Sequence, residues 1–213
     1  MREHPLLMQG PLVRATLAGL KTQTRRPVKN EALHYTGYWA ECRCKEIDPS
    51  DTPCVTCAMR FPGIPEAGDR LWVRETFQAW RKVGHESDEW EPIGVKAASF
   101  GDTIEYRATS KSTGPWTPSI HMPRWACRLV LPLVSVRVER VQDITEDDAK
   151  AEGVERISAG PGWECWMGYG PSSSCKTARD SFRSLWISIY GEASWDANPW
   201  VWVAEWDHAE VRK

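Results

Sequence analysis

Long hydrophobic runs are missing from this chain. No apolar stretch approaches the roughly 20 residues that span a bilayer, and the first residues lack the charged-then-apolar layout of a signal peptide. No membrane partner is expected, and the expected location is the cytoplasm. An excess of one charge is missing too. With 27 basic and 29 acidic residues the formal net charge is -2, so phosphate contacts must come from local clusters such as Lys21, Arg25 and Arg26. No G-x-G-x-x-G follows a strand pattern, and neither a P-loop nor an H-E-x-x-H occurs, which argues against a nucleotide cofactor and a catalytic zinc. No segment marks a protein partner.

Phenylalanine and tyrosine are scarce, at 4 and 5, whereas tryptophan reaches 13. Tryptophans fill the core of a small barrel or offer flat faces to nucleobases, so only those beside polar site residues bear on function. A length of 213 residues, 41% of them hydrophobic, fits one domain spanning 1–213 with a sizeable core. Seven cysteines, an odd number, point to thiols or metal ligands more than to a disulfide framework.

The segment from Leu17 to Pro27, LAGLKTQTRRP, is the most informative. The preceding run Leu12–Leu17 has the apolar spacing of a short helix, and Gly19 suits its C-terminal stop. Lys21, Thr22, Thr24, Arg25 and Arg26 then gather an amine, two hydroxyls and two guanidiniums just beyond a helix end. In a tight turn the Thr24 hydroxyl can reach the Lys21 amine, a geometry that activates an oxygen nucleophile or holds a phosphate. The alternative is a solvated basic turn.

Residues 30–66 are Pro-rich, without periodicity, and read as an insertion. Cys42, Cys44, Cys54 and Cys57 make a C-x-C then C-x-x-C set that can surround one tetrahedral structural zinc; the alternative is four free or partly paired thiols. Four sulfur ligands would leave no open position for catalysis. Arg70–Phe77 reads as a strand after a Gly68-Asp69 turn, with Glu75 near its end, either in a salt bridge with Arg74 or in the site. Residues 104–108 alternate as another strand, in which Tyr106 offers an aromatic face or fills core. His121, Arg124 and Trp125 combine into a group suited to an anionic, planar ligand. Beyond them, residues 126–139 read as a long strand or pair. Thr145 caps a helix with an acidic first turn that Gly153 ends; Glu152, at the unfavourable end of that dipole, needs another reason to be there. Residues 155–176 read as a Trp/Gly/Ser-rich loop, Arg179–Tyr190 as a helix with Phe182, Leu185, Trp186 and Ile189 on one face, and Trp200–Trp206 as a strand. Short strands framing two or three helices imply an α+β protein built on a small mixed β-barrel with flanking helices.

Four blocks in order, LAGxKTxTRR, GDRLWVRE from Gly68, SIHMPRWACR from Ser119 and T-E-D-D-A-x-x-E-G from Thr145, resemble the ASCH domain proteins, whose fold is similar to the PUA and EVE nucleic-acid-binding domains. The larger, Trp-rich form looks like ASCH proteins of phages and prophages, which would put it in a host cytosol. The small bacterial members are N4-acetylcytidine amidohydrolases, and the resemblance implies Thr24 as nucleophile, Lys21 as its base and Glu152 as the acid that orients the amine or handles protons. Such a base needs its pKa lowered by burial or by cations such as Arg25 and Arg26, and Glu152 opposes that shift. The partner implied is a modified nucleoside or single-stranded nucleic acid, with Thr22, Arg25, Arg26, Glu75, Tyr106, His121, Arg124 and Trp125 as candidate binding residues. A non-catalytic PUA-like reader and a single-stranded RNA nuclease stand beside the hydrolase. The mechanism predicts that alanine at Lys21 or Thr24 abolishes deacylation with little change in melting temperature.

Overall fold

The computed structural model describes residues 1–28, 64–83, 89–99 and 101–212. The four cysteines of the expected zinc site and nearly all of the expected insertion lie outside them. The protein is mixed α+β. Among the described residues, β1 (Glu3–Leu7), β3 (Arg70–Arg74), β7 (Leu129–Pro132) and β13 (Glu210–Val211) form one sheet in that order, with β1 parallel to β3 and the other pairs antiparallel. A second sheet, antiparallel throughout, runs β2 (Gln23–Pro27), β12 (Trp200–Glu205), β8 (Ser135–Arg140). A third has β4 (Phe77–Lys82) between β5 (Trp90–Ile93) and β6 (Thr103–Tyr106). These sheets are open, so the expected barrel does not close among the described residues. Leu133 and Val134 mark a crossing from one sheet to another. They join β7 to β8 at a corner where Leu133 N–H donates to Asp69 O at 2.9 Å and Val134 N–H to Glu205 O at 2.9 Å, so the long strand or pair expected over 126–139 is a pair whose members enter different sheets.

The sheet containing β3 and β7 is covered on both faces, which is why Leu129, Val130 and Leu131 form an unbroken apolar run. Leu71 and Leu131 are register partners in the main core with Val13, Val73 and Val203. Trp72 and Val130, partners on the opposite face, pack with Phe77, Met122 and Ala126 in a second cluster. The strand expected over 70–77 therefore breaks at Glu75 and Thr76, where the chain crosses from one core to the other.

Helix α1 (Gly10–Leu17) ends with Gly19 at φ 71°, as the sequence implies. Helix α2 (Glu146–Ala151) opens with a capping box: the Thr145 hydroxyl accepts from Asp148 N–H, and the Asp148 carboxylate accepts from Thr145 N–H. Helix α3 (Ala178–Tyr190) buries Phe182, Leu185 and Trp186 but leaves Ile189 38% exposed. Its buried stripe extends instead toward Ala178 and Ser181, because the last turn runs beyond the core before Gly191 turns the chain into α4 (Glu192–Asp196).

Residues 155–176, expected as a loop, form a fourth sheet of β9 (Arg156–Gly160), β10 (Trp163–Met167) and β11 (Ser174–Cys175). Gly162 turns the β9–β10 hairpin at φ 78°. The strands were masked by turn-type composition and by exposure of most of β9, which removes the alternation that normally betrays a strand.

Candidate functional site

After the turn at Ala18 and Gly19 that ends α1 the chain enters β2, whose side chains alternate. Register places Gln23, Arg25, Val203, Glu205, Arg137 and Glu139 on one face of the second sheet and Thr24, Arg26, Ala204 and Val136 on the other. Helix α2 meets the first face, and the two elements assemble an ion cluster.

Lys21 is 1% exposed and donates all three ammonium hydrogens: to Gln23 O at 2.7 Å, to Glu152 O at 2.7 Å and to Glu152 Oε2 at 2.8 Å. Arg25, also buried, donates through Nη2 and Nε to Glu139 Oε1 at 2.6 and 2.9 Å and through Nη1 to Glu152 Oε1 at 3.2 Å, with Asp148 Oδ2 at 3.3 Å from Nη2. Arg137 contacts Glu139, Asp148 and Glu205 from the outer side. Gln23 ties the group together, donating to Asp148 at 2.9 Å and accepting from Arg25 at 3.0 Å. Three cations thus face four carboxylates.

Glu152, unexplained by helix capping, has its reason here. It shares its carboxylate between Lys21 and Arg25, and its carbonyl, at the negative end of α2, receives the Lys21 ammonium. Gly153 makes the approach possible. At φ 81° it ends the helix, and a Cβ there would stand 2.7 Å from Lys21 Cβ. Burial holds Lys21 below the usual lysine range; Glu152 pulls against that shift, and Arg26 and Arg25 reinforce it.

Thr24 departs from the expected arrangement. It is 3% exposed and, among the described residues, makes no hydrogen bond to Lys21, whose three hydrogens go elsewhere. Thr24 lies in extended β2, on the face opposite Gln23 and Arg25. Arg26 shares Thr24's face and donates to Leu7 O at 2.6 Å and Tyr190 Oη at 3.3 Å.

The remaining binding candidates form other groups. Glu75, 1% exposed, receives a bidentate pair from Arg128, with Nε and Nη2 each at 2.9 Å; neighbouring Arg74 is not its partner. The Arg128 guanidinium lies 4.0 Å from the Tyr106 ring centroid, and Tyr106 donates its hydroxyl to Ala126 O at 2.8 Å. Burial pushes that hydroxyl up to about 12, against the pull of Arg128. Arg124 is bound bidentately by Glu3 at 2.7 Å, while His121 is exposed and Trp125 packs on the second core. Among the described residues of the expected set, Glu75 and Tyr106 meet at Arg128, and Lys21, Arg25 and Glu152 share the ion cluster. Gln23, Arg137, Glu139, Asp148 and Glu205 complete it and were not expected; charged residues alternating with valine in Ser135–Arg140 read from sequence as an ordinary solvent face.

Two clefts flank the cluster. The larger, about 960 Å³, opens between the ends of α1 and α2 and the β9–β10 hairpin; its walls include Arg14, Lys150, Gly153, Arg156, Trp166 and Tyr169. Lys21 packs directly behind Gly153 in that wall. Trp166 is 6% exposed, and its indole N–H is buried without an acceptor among the described residues. The smaller cleft, about 280 Å³, is lined by Gln23, Glu205, Trp206 and Asp207, and Thr22 borders both.

No family model, curated protein or solved structure matches the chain. No described helix is long and apolar enough to cross a membrane.

Proposed function

We propose that this chain is an ASCH-type, PUA-like protein of the cytosol that takes a modified nucleobase, free or within single-stranded nucleic acid, into the larger cleft. The observation that carries the reading is the makeup of that cleft, which combines Trp166 and Tyr169 with the cations Arg14, Lys150 and Arg156, set among the carboxylates Asp147, Glu155 and Glu164. Aromatic walls suit a base, and cations spaced around them suit its phosphates. The Trp166 N–H, without an acceptor among the described residues, is a donor that a base carbonyl or ring nitrogen can satisfy.

Hydrolysis of an exocyclic amide, as at an N4-acylated cytosine, is the second reading. What favours it is the 2.8 Å contact between Lys21 and Glu152, which are 131 residues apart and are two of the three groups that the ASCH resemblance implies. Against it stands Thr24, on the far face of β2. With three acceptors around its nitrogen Lys21 is placed as a donor and not as a base, so activity requires the substrate to displace one of them.

Calorimetric titration with cytidine, N4-acetylcytidine and a short single-stranded RNA, followed by mass analysis of the recovered ligands, tests both. Binding with every ligand returned intact supports the reader, release of cytidine from N4-acetylcytidine the hydrolase, and cut RNA a nuclease. Absence of binding by all three overturns the cleft assignment.

The cysteine spacing supports one structural zinc per chain, bound by Cys42, Cys44, Cys54 and Cys57. Elemental analysis is expected to give one zinc, lost in Cys54→Ser; a fully folded, zinc-free preparation overturns this.

A further inference from the structure

Trp163 is 55% exposed on β10, an unusual position for the largest apolar side chain. Its indole is nevertheless held in place. It lies across Gly160, its register partner on β9, so closely that a Cβ at Gly160 would come within 2.4 Å of Trp163 Nε1. The indole atoms Nε1, Cε2 and Cζ2 lie against the hairpin at Gly160. Beneath it is a depression of about 910 Å³ whose walls include Gly160, Trp163, Cys165 and Lys176. Glu164 belongs both to this depression and to the larger cleft beside Lys21, so the two adjoin along the hairpin. Lys176 is exposed and has no ion-pair partner among the described residues. Arg156, on the cleft side, is held by Glu164 at 3.2 Å with its side chain 58% exposed.

We propose that the β9–β10 hairpin extends the nucleobase cleft into a track for a single-stranded nucleic acid, with Trp163 stacking a base next to the one in the cleft and Lys176 and Arg156 meeting the flanking phosphates. The inference rests on the cleft assignment above and narrows it: the ligand is a polymer, and a free nucleoside fills only part of the site. A ring already seated on glycine loses little rotamer freedom when a base stacks on it, and stacking accepts any base because every base has a π-face. The competing explanation is structural, an aromatic ring covering a glycine to steady the hairpin. It predicts a cost in stability and none in binding.

The test is fluorescence-anisotropy titration of the full chain with a labelled mixed-sequence oligonucleotide of about eight nucleotides, alongside calorimetry with cytidine and N4-acetylcytidine. Trp163→Ala is expected to weaken the oligonucleotide about tenfold or more, leaving nucleoside affinity and melting temperature unchanged. Gly160→Ala, which keeps the indole but forces it off the hairpin, is expected to reproduce much of the loss. Unchanged oligonucleotide affinity in both folded variants overturns the track, as does a binding loss that only follows a fall in melting temperature. If the unaltered chain binds nucleosides but gains nothing from the polymer, the track fails and the cleft stands. If it binds neither, both fall.

Discussion

Glu152→Ala is expected to cost about 3–5 kcal/mol of folding stability, the usual effect of removing one partner from a buried ion pair. For a chain of this size that lowers the melting temperature by on the order of 10 °C. Lys21 would keep the carbonyls of Gln23 and Glu152 but lose the Glu152 carboxylate, and Arg25 would keep Glu139 and Asp148. Lys21→Met, with a stem of similar length and no charge, is expected to cost clearly less, because Glu152 retains Arg25. Equal losses in the two variants would mean that Glu152 is not shared as described. This revises the expectation that alanine at Lys21 leaves the melting temperature unchanged: a side chain with 1% exposure and three hydrogen bonds is not removed silently. Loss of activity in Lys21→Ala therefore says little about catalysis unless Lys21→Met, still folded, loses it too.

The same pair has a pH signature. With the Lys21 pKa lowered in the folded chain, the unfolded chain binds more protons between that value and the ordinary lysine value, and stability rises with pH across the interval. Removing Glu152 takes away the chief opposing influence and widens the interval downward. The deficit of Glu152→Ala should therefore shrink as pH approaches about 10, which urea unfolding at stepped pH can follow. A deficit that does not change with pH would mean that Lys21 stays charged without its partner.

Local rules recovered much of the fold. Thr145, Asp148 and Gly153 carry the whole of α2 in capping chemistry, and Gly19 marks the stop after α1. Leu71 and Val73 gave away β3 by alternation. The association of Lys21 with Glu152 is of a different kind: no period or spacing links residues 21 and 152, and only the ASCH-like motif order put them in one site. Elsewhere long-range pairing defeated local reasoning. Glu75 was left between a salt bridge with Arg74 and a place in the site, and adjacent residues in extended chain point to opposite faces; Arg128, 53 residues on, binds it because β7 lies beside β3. Arg124 found Glu3 at a separation of 121. The error at Thr24 was one of local conformation, a turn assumed where the chain had already joined a sheet.

Glu75 offers the second large effect, and its sign depends on what replaces it. Glu75→Ala leaves Arg128, 14% exposed at its side chain, stacked on Tyr106 with no carboxylate, and should cost about 3–5 kcal/mol. Glu75→Gln keeps one acceptor for Arg128 and sheds a charge that is expensive to bury, but its NH2 cannot accept from the second guanidinium nitrogen, so its cost should be smaller than that of alanine without vanishing. The reason lies in the direction of the Glu75 pKa: burial raises it above the ordinary carboxylate value, and Arg128 only partly restores it. A raised folded pKa means that the folded chain binds more protons than the unfolded one between pH about 4.5 and that raised value, so this contribution is complete below about 4.5 and fades as pH climbs. Chemical unfolding from pH about 4 to 8 should show this decline in the unaltered chain and a flatter profile in Glu75→Gln. A steeper profile in the variant, or equal losses for Gln and Ala, would mean that the Arg128 pair stabilises the charged carboxylate more than burial penalises it. In that event the pair would be a net source of stability, whereas the raised pKa marks it as a buried charge that the fold tolerates because Arg128 satisfies both of its oxygens.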